Sequence, residues 1–264
     1  MNNAHEIDYE IFGQELQMVE ITLDQYETTI AEPGSFIMMD EGIEMKTMFG
    51  DGSNEYDGIW GKILSAGKRV LTGEKLFMTA FTNRLEYRQK VTFASPYPGR
   101  IVPLDLTRYD GKIICQKDAF LCAAKGVSIG IEFSKRLGRG FFGGEGFIMQ
   151  KLEGDGLAFM HGGGMIVKKD LALDELLRID TGCLMGFTQD VDFDITFIRG
   201  VKNIFFGGEG LFFATLRGPG SVWIQSLPFS KLADRIIKHA PNYGGSRKGE
   251  GSVLGGLGDI LLGE

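Results

Sequence analysis

Two short runs carry the residue types of an acyl-transfer site. Gly126-Val127-Ser128-Ile129-Gly130 has the G-x-S-x-G spacing that lifts a nucleophilic serine onto a sharp turn, and His161-Gly162-Gly163-Gly164 resembles the backbone N–H cradle that holds an oxyanion. That chemistry needs a strand ending at the serine and a helix beginning after it. Here Val127, Ile129, Ile131 and Phe133 alternate with Ser128, Gly130 and Glu132, which places the serine inside a period-two strand. The glycine run also follows the serine, the reverse of the order in esterases. Both runs are therefore read as structural, and no catalytic residue is assigned.

Metal and phosphate chemistry fare no better. His5, His161 and His239 are the only histidines, and Cys115, Cys122 and Cys183 form no C-x-x-C pair, so neither a metal site nor a disulfide framework is expected. The thiols are read as reduced and buried, where Cys packs as a small hydrophobe. The Gly-Gly-Glu-Gly runs at 143–146 and 207–210 lack the GK[ST] and the following helix of a phosphate cradle. They are read as turns or bulges, and no cofactor is expected.

The elements that carry these residues are repeated. Phe-Phe-Gly-Gly-Glu-Gly occurs at Phe141–Gly146 and at Phe205–Gly210, an offset of 64, at which Leu152 meets Leu216, Gly154 meets Gly218, Gly156 meets Gly220 and Phe159 meets Trp223. Upstream, Ile101-Val102 and Asp105-Leu106 are answered at an offset of 65 by Ile166-Val167 and Asp170-Leu171, which implies a one-residue deletion between the two blocks. A diverged first copy aligns Val19, Leu23, Tyr26 and Ile30 with Val102, Leu106, Tyr109 and Ile113, and Gly73-Glu74 with Gly144-Glu145. The expected fold is all-β: three tandem antiparallel β-sandwich repeats in a pseudo-threefold arrangement, with one C-terminal helix. The boundaries are 1–98 for the first repeat, with an insertion near 49–70, then 99–163 and 164–227. A helix follows at 228–241, with Phe229, Leu232, Ala233, Ile236 and Ile237 on one face expected to pack back on the third repeat. A Gly-rich tail occupies 242–264.

Composition agrees with many tight turns, because 39 glycines stand against 7 prolines in 264 residues. The net charge of −7 argues against a surface given over to nucleic acid or anionic lipid. One basic feature stands out. Before each Gly-Glu strand lies a loop carrying Lys68 and Arg69 in the first repeat, Lys135, Arg136 and Arg139 in the second, and Arg199 and Lys202 in the third. These are the candidate contacts for an anion or a partner, together with the repeat-equivalent glutamates Glu74, Glu145 and Glu209. The N-terminal stretch is acidic and polar and no apolar run reaches the length of a spanning helix, so the expected location is the cytoplasm of a prokaryote, with membrane contact at most peripheral.

The repeats, the pattern Gly-x-Ile-Val-x-x-Asp-Leu at Gly99 and Gly164, the twin Phe-Phe-Gly-Gly-Glu-Gly strands and the Gly-rich tail together resemble the altered-inheritance-of-mitochondria protein family, over residues 16–227 and the tail. The resemblance implies a β-sandwich similar to the tryptophan RNA-binding attenuator protein, repeated three times and oligomeric. Mitochondrial relatives are linked to inner-membrane organisation, but no targeting peptide is visible here, so that placement is not carried over. Tryptophan and RNA binding are not carried over either, since no residue-by-residue match to such a site can be drawn. The expected function is a non-enzymatic scaffold or interaction protein that forms homo-oligomers. A ligand- or RNA-binding module using inter-repeat clefts or the basic loops is the alternative. Ser128→Ala is expected to leave hydrolysis of a p-nitrophenyl ester at the wild-type background rate; loss of a measurable rate would restore the esterase reading.

Overall fold

The computed structural model describes residues 4–49, 77–135, 147–198 and 211–240. Its period-two runs become strands, because alternation lets each strand bury one face while glycine-containing turns reverse the chain. An N-terminal strand β1 (Asp8–Phe12) precedes three sets of six. The first set is β2 (Met18–Leu23), β3 (Thr28–Ala31), β4 (Phe36–Met39), β5 (Ile43–Phe49), β6 (Phe77–Asn83) and β7 (Gln89–Ala94). The second is β8 (Gly99–Asp105), β9 (Lys112–Gln116), β10 (Phe120–Ala124), β11 (Ser128–Lys135), β12 (Phe147–Glu153) and β13 (Leu157–Gly163). The third is β14 (Ile166–Leu171), β15 (Leu176–Asp180), β16 (Leu184–Thr188), β17 (Asp192–Ile198), β18 (Leu211–Arg217) and β19 (Gly220–Gln225). Helix α1 (Phe229–His239) is the one α-helix among the described residues. The chain is thus mostly β, in antiparallel sheets with a C-terminal helix, as the sequence predicts.

The pairings recur set by set. The first strand pairs the sixth, the third pairs the sixth, the second pairs the fifth and the fourth pairs the fifth. Each set therefore contributes a first–sixth–third sheet and a fourth–fifth–second sheet. The sets are then joined edge to edge. β3 of the first set pairs β10 of the second, with Cys122 opposite Ala31, and β9 of the second pairs β16 of the third, with Gly186 opposite Cys115. Two six-stranded sheets result, β5-β6-β3-β10-β13-β8 and β11-β12-β9-β16-β19-β14, flanked by the smaller sheets β1-β2-β7-β4 and β15-β18-β17.

One alignment shifts by a residue. Ile30 stands opposite Ala123, as Ile114 stands opposite Phe187, so Ile30 corresponds to Ile114 and not to Ile113. The reason is the connection between equivalent positions on the first and second strands, which is one residue shorter in the first and third sets, from Thr22 to Ala31 and from Asp170 to Ile179, than in the second, from Asp105 to Cys115. In those two sets the short turn has the same construction: Tyr26 and Asp174 adopt φ of 63° and 62°, Glu27 accepts from the Asp24 N–H at 2.7 Å and Glu175 accepts from the Ala172 N–H at 3.0 Å.

Three apolar clusters fill the spaces between sheets, and each draws on neighbouring sets. Val19, Ile21, Phe81 and Phe93 pack with Phe159; Ile30, Leu104, Ile113 and Met160 pack with Met185 and Trp223; Ile114, Phe147 and Met149 pack with Leu184, Phe187 and Leu216. Each such fully buried side chain contributes about 1.5–3 kcal/mol, so removing one set would strip apolar cover from the next. The helix behaves differently from its sequence expectation. Leu232 and Ala233 are half-buried while Phe229, Ile236 and Ile237 remain exposed, and the helix is held at its first turn, where Lys231 Nζ lies 2.9 Å from Asp180 Oδ2 and the edge of the apolar face reaches Tyr97 through the Phe229 ring, centroids 5.2 Å apart.

The junctions demand small side chains. A Cβ on Gly186 would sit 2.8 Å from the Ile114 carbonyl oxygen and 3.2 Å from Cys115 Cα. Gly186→Val is expected to destabilise the protein by about 1–3 kcal/mol through overpacking at β9–β16, while the exposed Tyr87→Val stays within about 0.5 kcal/mol of wild type, both read from urea unfolding.

Candidate functional site

The basic and glutamate positions singled out in the sequence share one topological place. Lys68, Arg69 and Glu74 fall between β5 and β6; Arg136, Arg139 and Glu145 between β11 and β12; Arg199, Lys202 and Glu209 between β17 and β18. These nine lie outside the described residues, as do the Phe-Phe-Gly-Gly-Glu-Gly motifs and the tail from 242 onward. Lys135 closes β11, its backbone opposite Phe147. Within the described residues the serine and histidine of the esterase-like runs sit in different sheets. Ser128 opens β11 opposite Glu153, and His161 lies on β13 opposite Ile101.

The glycine run at His161 has a packing explanation. The Leu227 N–H donates to the Gly163 carbonyl at 3.0 Å, and the Leu227 backbone stands where a Cβ on Gly163 would go. The run is the corner where β13 meets the connection to α1. The His161 ring packs edge-on against Tyr97, with centroids 4.7 Å apart, and burial pulls its pKa down to about 4. A buried imidazole held neutral in this way is positioned by the fold.

Close by, at the junction of the first and second sets, titratable groups gather. Glu32 follows β3, its N–H donating to the Leu121 carbonyl at 3.1 Å. Burial, with Asp118 adding repulsion against the opposing pull of Lys117, raises its pKa to about 8. Tyr97 is pushed up to about 12 by burial first, then by Asp118 and Glu32, against a hydrogen bond with Ser95 that lowers it. Cys122 and Cys115, one in each of the two junctions, have thiol pKa values raised by burial. These groups stay protonated at neutral pH. Between the second and third sets a groove is lined by Glu132, Asp190 and Asp192 around Phe133, Phe187 and Phe193, an acidic mouth that would repel phosphate.

The largest departure from ordinary burial is β4. Phe36, Ile37, Met38 and Met39 are 40, 53, 50 and 39% exposed, although the corresponding strands β10 and β16 are buried at every residue. All three strands carry a register shift at the same place, between Phe36 and Met38, Phe120 and Cys122, and Leu184 and Gly186. The difference is therefore one of neighbours. Sequence reasoning passed over this strand, since a four-residue apolar run after the Pro33-Gly34 turn reads as core.

Comparison with known proteins agrees with this architecture. The family described as mitochondrial biogenesis AIM24 matches residues 9–227. An uncharacterised protein of Streptococcus pyogenes serotype M6 is 28% identical over 234 residues, 87% of this chain and 89% of that one. The X-ray crystal structure of a Streptococcus pyogenes protein solved in a structural genomics programme superposes with a TM-score of 0.67 at 23% identity, covering 89% of this chain and 100% of its own, and so shares the fold. No helix among the described residues is long and apolar enough to cross a membrane.

Glu32 and His161 give opposite pH dependences. Glu32 titrates at 4.5 when unfolded and about 8 when folded, so the folded state holds the extra proton and stability falls as pH rises through that window. His161 titrates at 6.5 when unfolded and about 4 when folded, so stability is full above 6.5 and falls as pH drops toward 4. Glu32→Gln is expected to flatten the alkaline limb of a Tm-against-pH curve and leave the acid limb; an unchanged alkaline limb would show that Glu32 does not carry it.

Proposed function

The chain belongs to the mitochondrial biogenesis AIM24 family, and we propose that it works as a non-enzymatic scaffold or interaction protein that self-associates and touches membranes only peripherally. The observation that carries this reading is the exposed apolar strand β4 in a fold that buries its counterparts. Contiguous exposed apolar surface marks an interaction site in a folded protein. Helix α1 adds a second such surface, with Phe229, Ile236 and Ile237 exposed beside Lys231 and Arg235. An amphipathic helix of this kind lies in a membrane interface without spanning it. The proposed place of action is the bacterial cytoplasm, at or near the membrane surface.

RNA or ligand binding is the weaker reading, because the groove between the second and third sets is acidic where a phosphate site needs cations. Light scattering on the full chain is expected to give a mass above the 29.1 kDa of one chain that rises with concentration, and anionic vesicles are expected to sediment it. A single-chain mass at all concentrations together with no vesicle binding would remove the scaffold reading. RNA binding whose log affinity falls linearly with log salt would favour the alternative.

A further inference from the structure

We infer that copies of this chain join head to tail, with β4 of one copy pairing antiparallel to β15 of the next so that the sheet continues across the interface. The inference rests on the self-association reading and gives it a surface, a partner and a register.

The argument is one of unmatched edges. Inside the chain the second strand of one set pairs the third strand of the next, twice: β3 with β10 and β9 with β16. A linear series of three sets leaves one third strand and one second strand over. These are β4, which pairs only β7 among the described residues, and β15, which pairs only β18. Burial follows the same division. The four strands inside junctions are buried almost throughout. β4 is exposed at every residue and β15 at Leu176 and Arg178. The opposite edge of the β4 sheet is closed differently: β1 presents Asp8 and Glu10 to solvent, charges that discourage edge pairing. β4 has no charge and no proline, and so keeps an open row of backbone donors and acceptors under apolar side chains.

The internal junctions also fix the register. Met38 occupies the place of Cys122 and Gly186, and Ile179 that of Ala31 and Cys115. Met38 then faces Ile179, Met39 faces Arg178 and Asp40 faces Leu177. The Met38–Ile179 pair is larger than its internal counterparts, and it gives an interface between separate chains more apolar surface to bury than the small internal pairs offer. Because the two edges are different surfaces, the contact is heterologous and propagates into a ring or a filament according to its rotation.

The test joins mass measurement to cross-linking. Ile37→Lys with Met38→Lys, both at exposed positions, is expected to return the full chain to a single-chain mass with wild-type circular dichroism and Tm. Met38→Cys and Ile179→Cys, each in a Cys183→Ser background, are expected to form a disulfide-linked dimer on oxidation only when the two are mixed. A wild type that is a monomer at every concentration overturns the interface and the self-association reading together. A double-lysine variant that stays oligomeric overturns the β4 assignment alone, as does a dimer formed by Met38→Cys without its counterpart. A chain carrying both cysteines that closes on itself at monomer size shows the two edges meeting within one copy, and overturns the pairing between copies.

Discussion

The fold depends on a backbone pairing of only a few residues, the antiparallel contact between the second strand of one set and the third strand of the next. Each junction aligns three residue pairs, Cys122–Ala31, Ala123–Ile30 and Ala124–Thr29 in one and Gly186–Cys115, Phe187–Ile114 and Thr188–Ile113 in the other. Net hydrogen-bond gains of about 0.5–1.5 kcal/mol each would scarcely offset the backbone entropy of ordering the strands. What tips the balance is burial. The small pairs Cys122–Ala31 and Gly186–Cys115 at one end of each junction let the two strands lie within a continuous sheet whose faces are covered by the apolar clusters of adjacent sets. The sets therefore stabilise one another, and cooperative unfolding across them is the natural consequence.

The same closeness explains why the titratable groups at the junctions are held uncharged. Glu32, Tyr97, Cys115, Cys122 and His161 all lie at or beside the junctions, and burial drives each toward its neutral form. A neutral buried imidazole and an acid that holds its proton near neutrality are what a packed seam between sheets tolerates. The surface, by contrast, is laced with ion pairs between exposed side chains such as Arg88–Asp24 and Lys168–Asp170, which give little stability individually.

Much of this was legible in the residues. Period-two alternation over Val127–Phe133 and Val191–Phe197 pointed to the strands that run Ser128–Lys135 and Asp192–Ile198, and the 64-residue offset matched strand to strand, Leu152 with Leu216 on β12 and β18. The Gly73-Glu74 alignment agrees with the register of β6 and β12, while the Ile30 alignment slipped because a turn length changes between sets and periodicity alone cannot count turn residues. The helix was visible in its apolar spacing, but not how little of that face the sheets would cover. The esterase-like runs misled only as motifs, since their strand context already spoke against catalysis.

By itself the sequence determined the class of structure, strands joined by glycine turns with a terminal helix, because alternation and turn propensity are local properties written in neighbouring residues. Which strands would be edges was decided by tertiary structure. Phe36-Ile37-Met38-Met39 and Phe120-Leu121-Cys122-Ala123 are both apolar runs at the same place in the pattern, and only the presence of β3 beside β10, with nothing beside the outer edge of β4 among the described residues, makes one a buried strand and the other an exposed one. Burial is a property of neighbours, and neighbours far apart in the chain are chosen by the fold.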